Sequence, residues 1–415
     1  MKLLHTSDWH LGHTLHGLSR DLEHAVFLGW LLDALEERAT DALIVAGDVF
    51  DSANPPASAQ RLFYRFLADA RRRCPGLDVV VVAGNHDSAS RLEAPRPLLD
   101  GFGIHVVGAL ARTEDGHLDP ARLLVPLRAR GGETEAWCLA VPFLRPVDLR
   151  TLDSGEGDPL VEGVRAVYDE AVERAGERLS PGQALIATGH LYMQDGRISE
   201  LSERKILGGN QHALPADLFD PRVTYAALGH LHLAQPVGGR ETVRYCGAPL
   251  ALSLDEGGYP HQVVEVELEA GGVSRIEPLR TPRTVEIVRV PGGDHAPLEA
   301  VLDALKELDL NADLAPERWP YLEVRPRLER PEPGLRRQVE EALAGRPVRL
   351  LKISPVYAGA RQPLAEVTPV RTLQEITPDE VFRLRHVQCY GGEPAPELLD
   401  AYHAILEHVQ AGGEP

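Results

Sequence analysis

The sequence predicts an α/β protein: a layered α/β domain, a smaller domain of β-α-β-α-β order behind it, and a helical tail. Three observations carry this. Short apolar runs alternate with helix-periodic stretches from the start to about residue 270. Proline-bearing stretches interrupt the pattern at 278–283 and 355–369. A chain of 415 residues also exceeds one ordinary core, so two or three domains are expected.

Lys2–Thr6 reads as the first strand. Leu22, Val26, Phe27, Trp30, Leu31, Ala34 and Leu35 then fall on one helical face. A strand at 42–46 is followed by a helix at 58–73 carrying Leu62, Phe63, Phe66 and Leu67. The β-branched run 79–83 reads as a strand buried on both faces. Further strands are expected at 104–107, 136–141, 184–188, 223–228, 243–246 and 263–268. These later strands show no long helices between them, which predicts that part of the sheet is antiparallel. The first domain is placed at 1–280. The second, at 284–354, reads as strand 284–290, helix 297–308, strand 321–324, helix 334–344 and strand 348–353. The tail, 370–412, opens on a capping box at Thr377, Pro378, Asp379 and Glu380. It ends in a helix with Leu398, Tyr402, Ile405, Leu406 and Val409 on one face.

Composition narrows the function. Hydrophobic residues make up 43% and charged residues 25%, the balance of a soluble globular protein. No apolar run approaches the ~20 residues of a membrane span, and the start lacks a signal layout, so a cytoplasmic protein without membrane contact is expected. Four cysteines stand far apart with no C-x-x-C pair, which argues against a disulfide frame or zinc knuckle. The net charge of -19 argues against a protein that simply coats DNA. It leaves room for DNA chemistry, because metal ions supply positive charge where a phosphate sits.

Five short motifs each follow an apolar run: Asp8-Trp9-His10, Gly47-Asp48-Val49-Phe50-Asp51, Gly84-Asn85-His86-Asp87, Gly189-His190 and Gly229-His230-Leu231-His232. Strand ends sharing one sheet edge gather there, where α/β ligands bind. Singly each motif is weak: D-x-H is commonly a surface pair, and N-H-D is commonly turn chemistry. All five in order supply carboxylate, imidazole and amide donors, a set that suits Mn, Fe or Zn better than Ca. On an extended segment, residues two apart point the same way, so D-x-H and H-x-H are each expected to hold one ion. A carboxylate bridging two ions would set them ~3.5–4 Å apart, the spacing of hydrolytic two-metal sites.

The five motifs resemble those of the calcineurin-like metallophosphoesterases. The resemblance implies a four-layer α/β/β/α sandwich with a small α+β capping domain and a helical C-terminal tail. It implies two divalent metal ions. Asp8, His10, Asp48 and His232 would hold one. Asp48, Asn85, His190 and His230 would hold the other. His86 matches a catalytic, non-ligand histidine that stabilises the transition state or protonates the leaving oxygen. Asp51 and Asp87 would orient histidines from outside the ligand set.

The stretch from Asp8 to Gly12, with Arg20, Glu23 and His24, Gly47–Asp51 with Pro55-Pro56, Ser202-Glu203-Arg204 and Gly247-Ala248-Pro249-Leu250 are more specific. They resemble the SbcD-type DNA repair nuclease subunits. In their archaeal and eukaryotic relatives a histidine stands near Asp51, so any role of that histidine does not carry over. This resemblance implies a manganese-dependent nuclease: a double-strand exonuclease and a single-strand and hairpin endonuclease in DNA break repair and recombination. Its partner would be an SbcC-type ATPase docked on the C-terminal helices. The absence of G-x-x-x-x-G-K-[ST] here fits ATP binding by that partner.

A homodimer is implied as well, with Leu62, Phe63, Phe66, Leu92, Leu98 and Leu99 as its candidate face. Arg20, Arg204 and Lys205 are candidate DNA contacts. The rival readings are a phosphatase or small-molecule phosphodiesterase of the same superfamily, and a non-catalytic scaffold.

Overall fold

The computed structural model describes residues 1–129, 132–149, 158–194, 196–197 and 213–357, with Phe382, Arg385, His386, Leu398, Leu399 and Tyr402 beyond them. The chain divides into two compact units, Met1–Thr284 and Val285–Pro415.

The first half of the first unit contains β1 (Lys2–Thr6), β2 (Thr14–Leu15), β3 (Leu18–Ser19), α1 (Asp21–Glu37), β4 (Ala42–Ala46) and α2 (Ala57–Arg73). It continues with β5 (Asp78–Val82), α3 (Ala89–Glu93), α4 (Arg96–Leu99) and β6 (Ile104–Val107). The second half contains α5 (Pro120–Leu123), β7 (Leu124–Arg128), β8 (Thr134–Leu139), α6 (Pro159–Gly176), β9 (Ala184–His190) and β10 (Tyr225–Gly229). It closes with β11 (Gln235–Val237), β12 (Arg240–Tyr245), β13 (Gln262–Glu269) and β14 (Gly272–Arg280).

Two six-stranded sheets result, ordered β14-β13-β1-β4-β5-β6 and β11-β12-β10-β9-β8-β7. The first is parallel from β1 through β4 and β5 to its β6 edge and antiparallel on the other side, where β13 pairs with β1 and with β14. In the second sheet β9 lies parallel to β8 and β10.

The two-residue period of the strands sorts side chains into layers. Leu43 and Val45 of β4 join Phe27, Leu31, Phe63 and Leu67 of α1 and α2 in one core. Ala42 and Ile44, on the opposite face, meet Ala184 and Ile186 of β9 in a core between the sheets. Leu185 and Ala187 of β9 turn outward to Val167, Tyr168 and Ala171 of α6. The order is therefore helix, sheet, sheet, helix: the four-layer α/β/β/α sandwich.

Helix α6 corrects the expectation that the later strands lack long helices, since it runs for 18 residues. Its start carries a cap signal: Asp158 accepts from Leu160 N at 2.9 Å, and Pro159 occupies the first turn. Alanines and a glycine on its inner face leave it with few large apolar residues to announce a helix.

A second correction concerns the candidate dimer face. Phe63, Phe66 and Leu92 lie within this unit's own core at 0%, 2% and 1% exposure, because α2 faces sheet and α1 there. Leu98 is the exposed member of that set.

The second unit holds β15 (Ile287–Val290), β16 (Ala296–Pro297), α7 (Leu298–Lys306), β17 (Tyr321–Val324), β18 (Pro326–Leu328), α8 (Leu335–Ala342), β19 (Arg349–Ile353) and β20 (Val356–Tyr357). Parallel pairing builds two three-stranded sheets, β15-β17-β19 and β16-β18-β20. Val290, Val301, Leu305, Leu322, Val324 and Val339 form its separate core.

The capping box at Thr377, and Ile405, Leu406 and Val409 of the tail stripe, lie outside the described residues. So do Arg204 and Lys205. Cys74, Cys138 and Cys246 carry free thiols. Among the described residues no helix is long and apolar enough to cross a membrane.

Candidate metal centre

Parallel neighbours bring the five motifs together. Asp8 and His10 follow β1, Asp48 follows β4, and Asn85 and His86 follow β5, all at C-terminal ends in the first sheet. His190 ends β9, while His230 and His232 follow β10, its parallel neighbour in the second sheet. The loops are stitched by backbone hydrogen bonds: Asp8 N donates to Gly47 O and His10 N to Asp48 O, each at 3.0 Å.

Asp8, His10, Asp48 and His230 all have positive φ, at 54°, 44°, 49° and 101°. Non-glycine residues avoid this region, and such strain gathers where surroundings over-determine the backbone for function. This corrects the expectation that Asp8 and His10 converge because their segment is extended. A left-handed turn at each aims both inward.

Donor atoms of Asp8, His10 and His232 lie within 4.8 Å of one another, as do those of Asp8, Asp48 and His190, and those of His10, Asp48 and His86. His10 Nε2 is 3.5 Å and His190 Nε2 3.3 Å from Asp48 Oδ2. Asn85 Oδ1 is 3.0 Å from His190 Nε2 and 3.1 Å from His230 Nδ1. All seven candidate ligands thus meet in one place.

Acceptors behind the histidines fix their tautomers. His190 Nδ1 lies 3.0 Å from Ala46 O, which accepts only, so Nδ1 carries the hydrogen and Nε2 offers a lone pair. His10 Nδ1 meets Asp51 Oδ1 at 3.2 Å, and His232 Nδ1 meets Glu256 Oε1 at 2.9 Å. His10 Nε2 is buried without a hydrogen-bond partner. A buried bare nitrogen beside two carboxylates is what a divalent ion would satisfy, so the donor set fits a metal. His86 Nδ1 donates to the Asp51 carbonyl at 2.7 Å, so Nε2 is the atom that gains or gives up a proton.

Electrostatics agree with this arrangement. Burial pushes the Asp48 carboxyl up, but His190, His10 and His86 more than reverse this and hold it below the ordinary range. Burial lowers His190, yet Asp48 and Asp8 lift it to about 9. His230 is pushed well down by burial and by the His190 charge, consistent with its place beside the neutral Asn85. Asp8 is raised by burial. The buried carboxylates thus favour positive charge beside them, the role a bound cation would fill.

Two assignments change. Asp87 orients no histidine: its carboxylate accepts from the backbone N–H groups of Val49 (3.1 Å), Phe50 (2.9 Å) and Gly84 (2.9 Å), bracing two motif loops against each other. Burial, then the Asp48 charge, raise it to about 6. Arg20 is not placed to contact DNA. It is 2% exposed and spends its guanidinium on Glu23, at 2.8 and 2.7 Å, and on the Ala251 carbonyl.

Sequence reasoning missed Glu256, which holds His232 from 24 residues away, and Ser7, whose hydroxyl donates to Asp8. Neither lies in a motif of ligand spacing. Position beside Asp8 was the one signal that could have found Ser7.

Comparison with known proteins adds two kinds of match. Residues 1–234 match the calcineurin-like phosphoesterase family, and residues 283–389 match the type 5 capsule protein repressor C-terminal domain. The SbcD subunit of nuclease SbcCD from Rhodobacter capsulatus is 42% identical over 387 residues, covering 92% of this chain and 93% of that protein. The SbcD subunit from Escherichia coli K12 is 34% identical over 421 residues, 99% of each. The one from Bacillus subtilis is 36% identical over 274 residues, 65% of this chain and 67% of that protein.

Proposed function

This chain belongs to the calcineurin-like phosphoesterases, among the SbcD subunits of the SbcCD nucleases, and on that premise we propose how its centre hydrolyses DNA. It is a metal-dependent nuclease acting on phosphodiester bonds. The carrying observation is the convergence of imidazole Nε2 atoms, each turned inward by an acceptor on Nδ1, upon the buried carboxylates of Asp8 and Asp48.

Asp8, His10, Asp48 and His232 would hold one divalent ion, and Asp48, Asn85, His190 and His230 would hold the other. Manganese is the ion we favour, because a mixed N/O donor set suits it. When bound, the pair supplies the Lewis acidity that activates water and neutralises charge at phosphorus. The chain's own residues do the rest. Asp51 holds His10 by its side chain and His86 by its carbonyl, which leaves His86 Nε2 to carry the proton that is exchanged. From there His86 serves a phosphate oxygen or the leaving oxygen.

The substrates we assign are double-stranded ends, cut exonucleolytically, and single strands and hairpins, cut endonucleolytically. The C-terminal helices dock the SbcC-type ATPase, the 284–354 domain selects DNA shape, and two copies pair, all in the cytoplasm. The relatives are named as parts of a nuclease assembly, which supports a partner.

The test is cleavage of end-labelled duplex and hairpin DNA by the full chain in manganese or EDTA. Wild type is expected to cut in manganese only. His86→Ala is expected to keep both ions by metal analysis and lose at least ~100-fold in turnover, the size of a lost acid–base group. Metal loss in His86→Ala would make it a ligand and remove its assigned role. Turnover of a simple phosphodiester with no cutting of any DNA would move the substrate to small molecules.

A further inference from the structure

Behind His190 lies a second cavity that hydrolysis at the ions does not use. It is a shallow apolar recess that opens to solvent. Phe143, Leu144, Leu149, Val164 and Tyr192 line it, and His190 closes one side. The Phe143 ring stands edge-on to the His190 imidazole, at 6.3 Å and 85°. His190 Nε2 is itself 3.3 Å from Asp48. One imidazole therefore separates the cavity from the candidate metal centre.

The walls are built into the scaffold. Phe143 N donates to Ala83 O at 2.8 Å, tying this wall to the loop that carries Asn85. Tyr245 holds the opposite wall: its hydroxyl donates to Leu191 O at 2.6 Å and accepts from Met193 N at 3.0 Å. Leu214 N donates to Tyr192 O at 2.9 Å. Phe143 and Tyr192 are half-buried, so both rings keep a surface for a ligand.

We propose that this cavity receives the unpaired base of the nucleotide adjoining the scissile phosphate. The proposal rests on the nuclease reading. A phosphate seated at the ions places its own nucleoside within reach of the far side of His190. A base offers apolar faces to apolar and aromatic walls and a polar edge to solvent, the usual terms of single-strand recognition. A base held in a duplex cannot leave its stack without cost. The cavity therefore favours strands whose bases are already free: frayed ends, hairpin loops and single strands.

The experiment uses the full chain in manganese and single-stranded oligonucleotides, intact or with one abasic residue placed on either side of the scissile phosphate. Wild type is expected to lose about ten-fold in kcat/KM on one abasic strand, the size of one lost stacking contact. Tyr192→Ala is expected to lose as much on the intact strand and no more on the abasic one. Tyr192→Phe, which keeps the ring, should restore the difference. Without turnover, in a His86→Ala background with manganese bound, 2-aminopurine at the same position should be quenched when residue 192 is Tyr or Phe but not in the added Tyr192→Ala variant.

Equal rates of wild type on intact and abasic strands would overturn the proposal, and that comparison needs no variant. Equal losses of Tyr192→Ala on both strands would do the same. Failure to cut either strand while methyl p-nitrophenyl phosphate is hydrolysed would overturn the nuclease reading, and the base site with it.

Discussion

The Glu256 carboxylate is fully buried, accepts from His232 Nδ1 at 2.9 Å and takes Leu252 N at 2.8 Å. A carboxylate behind a metal-binding imidazole sets its tautomer, aims its lone pair and raises its basicity. Glu256→Gln keeps the volume and removes the charge. It is expected to weaken manganese binding about 10–100-fold, read by titration, with an unchanged fold by circular dichroism. Wild-type affinity in Glu256→Gln would end the positioning role. The seven candidate ligands were legible because ligand chemistry repeats at fixed short spacings. Glu256 was not legible, because its partner is adjacent only in the folded chain. The same reason explains Asp87, whose partners Val49 and Phe50 are distant in sequence, and the burial of Arg20, whose guanidinium also reaches the Ala251 carbonyl.

Elements carry the centre through their ends. β1, β4 and β5 run parallel and deliver Asp8, Asp48 and Asn85 to one edge. Close approach there leaves no room for a side chain at Gly84, where a Cβ would overlap the Asp48 backbone nitrogen and Oδ1. That contact is with backbone and a candidate bridging ligand, so relaxation would displace Asp48 itself. Gly84→Ala is expected to fold, since the clash sits outside the unit's apolar cores, but to bind manganese at least ~10-fold more weakly, because a small displacement of a ligand carries a large cost in affinity. A calorimetric titration equal to wild type would show that the loop has slack. The strands themselves were legible because buried β-branched runs are distinctive. Helix α6 was not, because glycine and alanine on its buried face leave it far less apolar than α1, which carries phenylalanine and leucine there.

At the scale of the whole chain, the acidic balance and the two cores pull apart in a measurable way. A net charge of -19 would repel DNA, and the candidate centre concentrates buried carboxylate rather than relieving it. Bound cations reverse that sign locally, so metal stabilises the first unit as well as equipping it. The second unit has its own core of Val290, Val301, Leu305, Leu322, Val324 and Val339, and the candidate ligands all lie before it. Calorimetry of the full chain is therefore expected to resolve a metal-dependent transition from a metal-independent one. Manganese at about 100 times its Kd adds ~2.7 kcal/mol to the state that binds it. For a unit of this size that raises its midpoint by roughly 5 °C. The midpoint of the second unit should stay within about 1 °C, because ions that do not touch a domain shift nothing in it. A shift of both transitions together would mean that the two cores melt as one. No shift in either would place the ions elsewhere than among Asp8, Asp48 and their histidines.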